Sequence, residues 1–173
     1  HDDASFDGTY YQLKNAFANP KPAQPKLPIL IGGSGEKRLL QIVARHADEW
    51  NMPVQPVEVY RQKVKALERH CEAEGRDPAS IERSLMIAYV AGATEAEAKA
   101  RLDSVLANAS PRLKAALEAG AALPSWLLGT PEQIVEQIKA WEAEGVSRIM
   151  LQHLAEPDYE VLDMMAKEVL SKV

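Results

Sequence analysis

The residues best placed for chemistry form one short run, Ile31-Gly-Gly-Ser-Gly-Glu-Lys-Arg38. An apolar stretch leads into glycines, a serine and two adjacent cations. Gly32, Gly33 and Gly35 let a ligand come close to the backbone, because no Cβ stands in the way. Ser34 adds a hydroxyl, and Lys37 and Arg38 add positive charge. If a helix follows, its first N–H groups are unpaired and carry partial positive charge. Together these suit a phosphate. The competing reading is a tight strand-to-helix turn with Ser34 as its N-cap. Two nucleotide signatures do not fit. Gly33-x-Gly35 is followed by Arg38 where a dinucleotide fingerprint has Gly or Ala, and no Gly-Lys-Ser/Thr follows as in a P-loop.

Other candidates are weaker. His153 ends an apolar run, where α/β folds place ligand contacts; a packing histidine is the alternative. Asp48, Trp50 and Asn51 sit near the end of another short run, and Trp50 reads either as a core residue or as a stacking surface. His46 and His70 have no partner at metal-ligand spacing. Cys71 lies on the apolar stripe of a helix and reads as core. No Ser-His-Asp order, HExxH or paired-Cys pattern appears. Metal is therefore not expected, and no self-contained catalytic set is present.

These residues need elements to hold them. PILIGG, residues 28–33, reads as a strand buried on both faces. A helix follows, with Leu39, Ile42 and Val43 at helical spacing. Ala47–Val54 is a second, weak strand. Val57, Tyr60, Val64, Leu67 and Cys71 mark a helix stopping near Gly75. Ser84–Ala93 is a third strand, and Thr94-x-x-Glu97 opens a helix to about residue 109. Residues 110–128 read as a short helix and a loop. Thr130-Pro131-x-Gln133 is a strong helix start, with Ile134, Ile138 and Trp141 inward and Gly145 as the stop. Ser147–Leu154 is the fourth strand. A last helix spans 157–171, with Leu162, Met165 or Ala166, and Val169 inward. The segment 1–27 reads as an extended connector over a surface, since Pro20, Pro22, Pro25 and Pro28 disfavour helix. Its Phe6, Tyr10, Tyr11, Leu13 and Phe17 are expected to be buried.

Residues 28–173 thus read as four βα units, which implies parallel strands and right-handed crossovers. Such units suit either a small doubly wound sheet or half of a (β/α)8 TIM barrel of about 250 residues. The 173 residues, 46% apolar and 26% charged with one Cys, are ordinary globular composition and offer no internal disulfide. The net charge of -5 argues against nucleic acid. No apolar run reaches the roughly 18 residues that span a bilayer, so no membrane is expected. The chain opens HDDASFDG without Met, as expected of a segment continuing from something upstream.

Several ordered motifs resemble the luciferase-like monooxygenase family, most nearly its members that use the deazaflavin coenzyme F420. Phe6-x-Gly8-x-x-Tyr11 leads through the Pro-rich stretch into Pro28-Ile-x-Ile-Gly-Gly33, and then to Ala47-Asp-x-Trp-Asn51. The GRDP turn at 75–78, the GTPEQIVEQI start at Gly129 and the GVSRIMLQHL strand at 145–154 also match. The resemblance covers nearly the whole chain. It implies the C-terminal half of a luciferase-like TIM barrel, strands five to eight, with residues 1–173 forming part of one domain. It implies that Gly32, Gly33, Ser34 and Gly35 bind the cofactor phosphate, with F420 as the cofactor and FMN as the alternative. It implies a parent oxidoreductase that transfers a hydride between deazaflavin and a small organic substrate. The residues that do so would lie upstream. The expected partners are that substrate and the missing N-terminal half-barrel, with a homodimer also possible. A non-catalytic phosphate-binding or association half-barrel is the alternative from another class. The expected location is cytoplasmic.

Overall fold

The computed structural model describes residues 4–119, 125–154 and 158–173. The elements run β1 Ala4–Asp7, β2 Gln12–Ala16, β3 Leu30–Gly32, α1 Leu39–His46, β4 Glu49–Pro53, α2 Val57–Ala73 and β5 Glu82–Ala91. After these come α3 Glu95–Ala107, α4 Pro111–Glu118, β6 Leu127–Gly129, α5 Pro131–Ala143, β7 Arg148–His153 and α6 Tyr159–Met164. The last helix continues as a turn of π-helix, Met165–Val169.

The four expected strands form one parallel sheet in chain order, β3-β4-β5-β7. A doubly wound sheet reverses its strand order at a switch point. This sheet does not reverse. Right-handed crossovers in an unreversed order place every helix on the same face. That is the arrangement of half a barrel. Ten-residue β5 is its spine. Ser84–Tyr89 pair with β7, and Glu82–Met86 pair with β4. Tyr89 pairs with both His153 and Leu127, so β6 lies on the side of β5 opposite β7, beyond the reach of β4.

Side chains alternate across the sheet. On the helix-covered face Trp50, Met52, Leu85 and Ile87 pack into one core with Leu40, Tyr60, Ile134 and Val169. Trp50 stacks parallel to Tyr60 with centroids 6.3 Å apart, and Tyr60 meets Trp141 edge-on at 5.5 Å. This aromatic ladder ties β4, α2 and α5 together. The opposite face carries Glu49, Asn51, Ser84, Met86, Arg148 and Met150, by the same alternation.

Several expectations change. Residues 4–16 form an antiparallel hairpin, with Phe6 opposite Leu13. The hairpin's strands pair only with each other among the described residues, and its apolar side chains stay outside the core. Tyr10 is 91% exposed and Phe17 72% exposed, where burial was expected. Nor is β3 buried on both faces. Among the described residues it pairs only with β4, so it is an edge strand, and Leu30 is 45% exposed. Ser34 does not cap α1. That helix starts five residues later, after Arg38, with no side-chain cap. Strand β6 was not expected at all. Three residues within an ambiguous stretch carry no period that marks a strand. In the last helix Val161, Met165 and Val169 face inward. Leu162, expected inward, is exposed, and its place in the stripe is taken by Val161 one position earlier. The expected start at Pro157 lies outside the described residues.

Other local signals are met. Thr130 and Gln133 form a complete capping box. Thr94 Oγ1 accepts from Glu97 N–H at 3.2 Å. Glu97 Oε2 reaches past the cap to Ala93 N–H at 2.9 Å. Among the described residues no helix is long and apolar enough to cross a membrane.

Candidate functional site

The glycine loop is clamped at both ends. At its entry, Gly33 has φ +129°, and a Cβ there would lie 2.6 Å from Leu39 Cδ1, so only glycine fits. Trp50 Nε1–H donates to the Gly33 carbonyl at 2.8 Å. Gly33 N–H donates to the Asn51 carbonyl at 2.9 Å. At its exit, Lys63 Nζ donates to Glu36 Oε1 at 2.8 Å, and His70 Nε2 donates to the Glu36 carbonyl at 2.7 Å. The Lys63 hydrogen bond holds the Glu36 carboxyl below its usual range. These anchors draw residues 34–38 along α2, which explains why α1 begins only at Leu39.

The middle of the loop is unspoken for. Among the described residues no partner meets Ser34 Oγ, the N–H groups of Ser34, Gly35 and Glu36, or the Lys37 and Arg38 cations. Lys37 and Arg38 are exposed. A turn held at both ends that presents free donors and cations ahead of a helix N-terminus has the donor set an anion needs. The four expected residues Gly32, Gly33, Ser34 and Gly35 are therefore brought together. Their neighbours have other work. Trp50 is core and pins the loop. His70, which has no partner at metal-ligand spacing, fixes the loop's far end. Asp48 precedes β4 and so lies at the opposite end of the sheet from the loop. It accepts Lys26 Nζ and Ile29 N–H, and the Lys26 bond holds its carboxyl below the usual range. Cys71 is buried in the core, as expected.

A second feature opens at the same end of the sheet. A cavity of about 580 Å3 lies among the ends of β5 and β7, α3 and the start of α6. His153 is there, as its place at the end of β7 implies. Its Nδ1 shares a hydrogen bond with the Tyr89 hydroxyl at 3.1 Å. Burial pushes the Tyr89 phenol up. Across the cavity Arg101 Nε donates to Asp158 Oδ2 at 3.1 Å, while Asp158 Oδ1 caps α6 through Val161 N–H at 3.1 Å. The wall between is Val90, Ala91, Val105 and Val161. Tyr89, Arg101 and Asp158 escaped the sequence reading. Each sits inside an ordinary strand or helix pattern, and only the crossover of β5 into α3 brings them to His153. No cluster of three potential metal-ligating side chains exists among the described residues.

A family model described as luciferase-like monooxygenase matches residues 1–148. An uncharacterized protein of Mycobacterium tuberculosis is 34% identical over 76 residues, which are 44% of this chain and 27% of that protein. An FMNH2-dependent dimethylsulfone monooxygenase of Pseudomonas putida is 27% identical over 176 residues, covering 86% of this chain and 48% of that protein. An F420-dependent secondary alcohol dehydrogenase, solved with an F420-acetone adduct, superposes with a TM-score of 0.72 at 17% identity. That match covers 99% of this chain and 56% of the dehydrogenase. The chain thus spans about half the length of the solved structure and of the monooxygenase. The fold is that of half a luciferase-like TIM barrel.

Proposed function

The chain belongs to the luciferase-like monooxygenase family, and from that premise we propose that it is the cofactor-anchoring half of an F420-dependent oxidoreductase acting on a small organic substrate. The observation that carries this reading is the loop 33–36. It is held by Trp50, Lys63 and His70, while Ser34 Oγ and three consecutive N–H groups have no partner among the described residues. That donor set fits a phosphate. Ser34 and the loop N–H groups would hold its oxygens, and Lys37 and Arg38 would balance its charge. The deazaflavin, when bound, supplies the hydride chemistry. The chain's own contribution is to fix where the cofactor's tail sits, and so how its reactive ring is oriented. Lying at the same end of the sheet, the cavity beside His153 and Tyr89 suits part of a substrate wall.

The same phosphate cradle suits FMN. The relative named as FMNH2-dependent, alignable over 86% of this chain, favours that second reading. Fluorescence titration of the full-length parent separates the two. Binding of F420 with little FMN binding is expected. Tight FMN binding without F420 binding would turn the proposal into a flavin monooxygenase. Paired substitution Ser34→Ala and Gly35→Ala tests the cradle itself. A Cβ at Gly35 meets Leu39 Cβ only at 3.6 Å, so the fold should tolerate it. Affinity for either cofactor should fall about tenfold, the cost of one or two charge-assisted hydrogen bonds. Unchanged affinity would leave the loop a plain turn and the chain a non-catalytic association half.

A further inference from the structure

The inward face of the sheet is organised in layers that are half filled. In a closed (β/α)8 barrel the interior is built of layers of four side chains, contributed by alternate strands. Here β4 and β7 are alternate strands with β5 between them, and their inward side chains meet over it. Arg148 Nη1 donates to Glu49 Oε2. One step up, Asn51 Nδ2 lies 3.6 Å from Met150 Sδ and 2.9 Å from Ser84 Oγ. Each layer therefore holds its members from β4 and β7 and has room for those of strands outside this chain. Edge strands β3 and β7 each have one bonded neighbour among the described residues, so each offers a free row of backbone groups.

The lower layer is electrostatically incomplete. The Glu49 side chain is only 8% exposed. One of its oxygens takes Arg148; the other, Oε1, is buried with no partner among the described residues. The other Nη of Arg148 turns elsewhere, lying 3.2 Å from Glu82 Oε2. Two carboxylates thus share one guanidinium. A buried carboxylate oxygen is costly to leave unpaired. We infer that the complementary four-stranded βα half that closes the barrel on this face presents a lysine or arginine to Glu49 Oε1. The inference rests on the half-barrel reading. Charge decides against the other occupant. A second copy of this chain would bring its own Glu49, Glu82 and Arg148, setting four carboxylates against two guanidinium groups in one layer. A half bearing a cation there neutralises the cluster and fills the layer.

The test uses the parent produced as two co-expressed chains divided before His1. Co-purification as a one-to-one pair is expected. Glu49→Gln, which keeps shape and removes charge, should weaken that association at least about tenfold, as loss of a buried interfacial charge partner does. Glu82→Gln, at a side chain 55% exposed, should change it less than about threefold. Circular dichroism of each variant chain alone confirms that it is folded. Assembly that is indifferent to Glu49→Gln overturns the cation inference and leaves the half-barrel reading standing. Homodimers of about twice 19.1 kDa that leave the other half unbound overturn the choice of partner. A stable monomer that ignores the upstream half overturns both, whereas loss of cofactor binding by an assembled pair touches only the proposed function.

Discussion

Leu85 and Ile87 point into the helices and are fully buried, while Met86 between them points the other way and is 39% exposed. The contrast runs along the whole sheet. Its helix-covered face is apolar and interlocked, from Leu40 to Val169. The other face is polar, with Glu49, Asn51 and Ser84 bonding across strands and one buried oxygen left over. One face is finished by the chain itself and sustains its stability. The described residues leave the other open. A site that must bind and a site that must merely hold are thus separated by one residue along a strand.

The largest effect should come from testing that separation directly. Leu85→Ala should cost about 2–5 kcal/mol of unfolding free energy in urea melts, and Met86→Ala under about 1 kcal/mol. Equal losses would show that both faces are packed. A smaller effect probes how the finished face reaches the binding loop. Trp50→Phe keeps most of the aromatic ladder but leaves the Gly33 carbonyl without its donor. Stability should drop by about 1–3 kcal/mol, and cofactor affinity of the parent should drop with it. A stability loss with affinity intact would make the loop self-supporting.

The smallest effect concerns the satisfied charges beside the cavity. Val161 N–H, and then Arg101, hold the Asp158 carboxyl below its ordinary 3.8. A carboxylate depressed in the folded state stabilises above its unfolded value, and that contribution fades as pH falls through the folded value. The melting temperature of Asp158→Asn should therefore change less between about pH 5 and about pH 3 than that of the wild type. Identical acid slopes would mean that the cap and the ion pair contribute nothing.

The repeating βα order was legible because its signals are local: Thr130 and Gln133 within one turn, Gly75 and Gly145 at helix ends, and apolar stripes at a fixed period. The glycine loop was legible as a turn for the same reason, since its glycines and serine are contiguous. What sequence periodicity cannot carry is a neighbour distant along the chain. Glu49 and Arg148 are 99 positions apart, and their meeting depends on β5 lying between them. His153 was placed by its strand end, but its partner Tyr89, 64 positions away, required the register of β5 and β7. The start of α1 was misjudged because Lys63 and His70 reach over from α2 and hold Glu36 out of the helix. The hairpin was missed because prolines dominate the stretch that follows it.

Strand β5, bonded to β4, β6 and β7, has a consequence for how the molecule breathes. Its amides cannot be freed without dismantling the sheet on both sides, so they should exchange with solvent deuterons only when the whole chain unfolds. Strand β3, bonded on one side, should open on its own and exchange sooner. The loop from Gly33 to Glu36 hangs from that one-sided strand. A phosphate gripped there would announce itself as slowed exchange at β3, with the amides of β5 responding only to the gain in global stability.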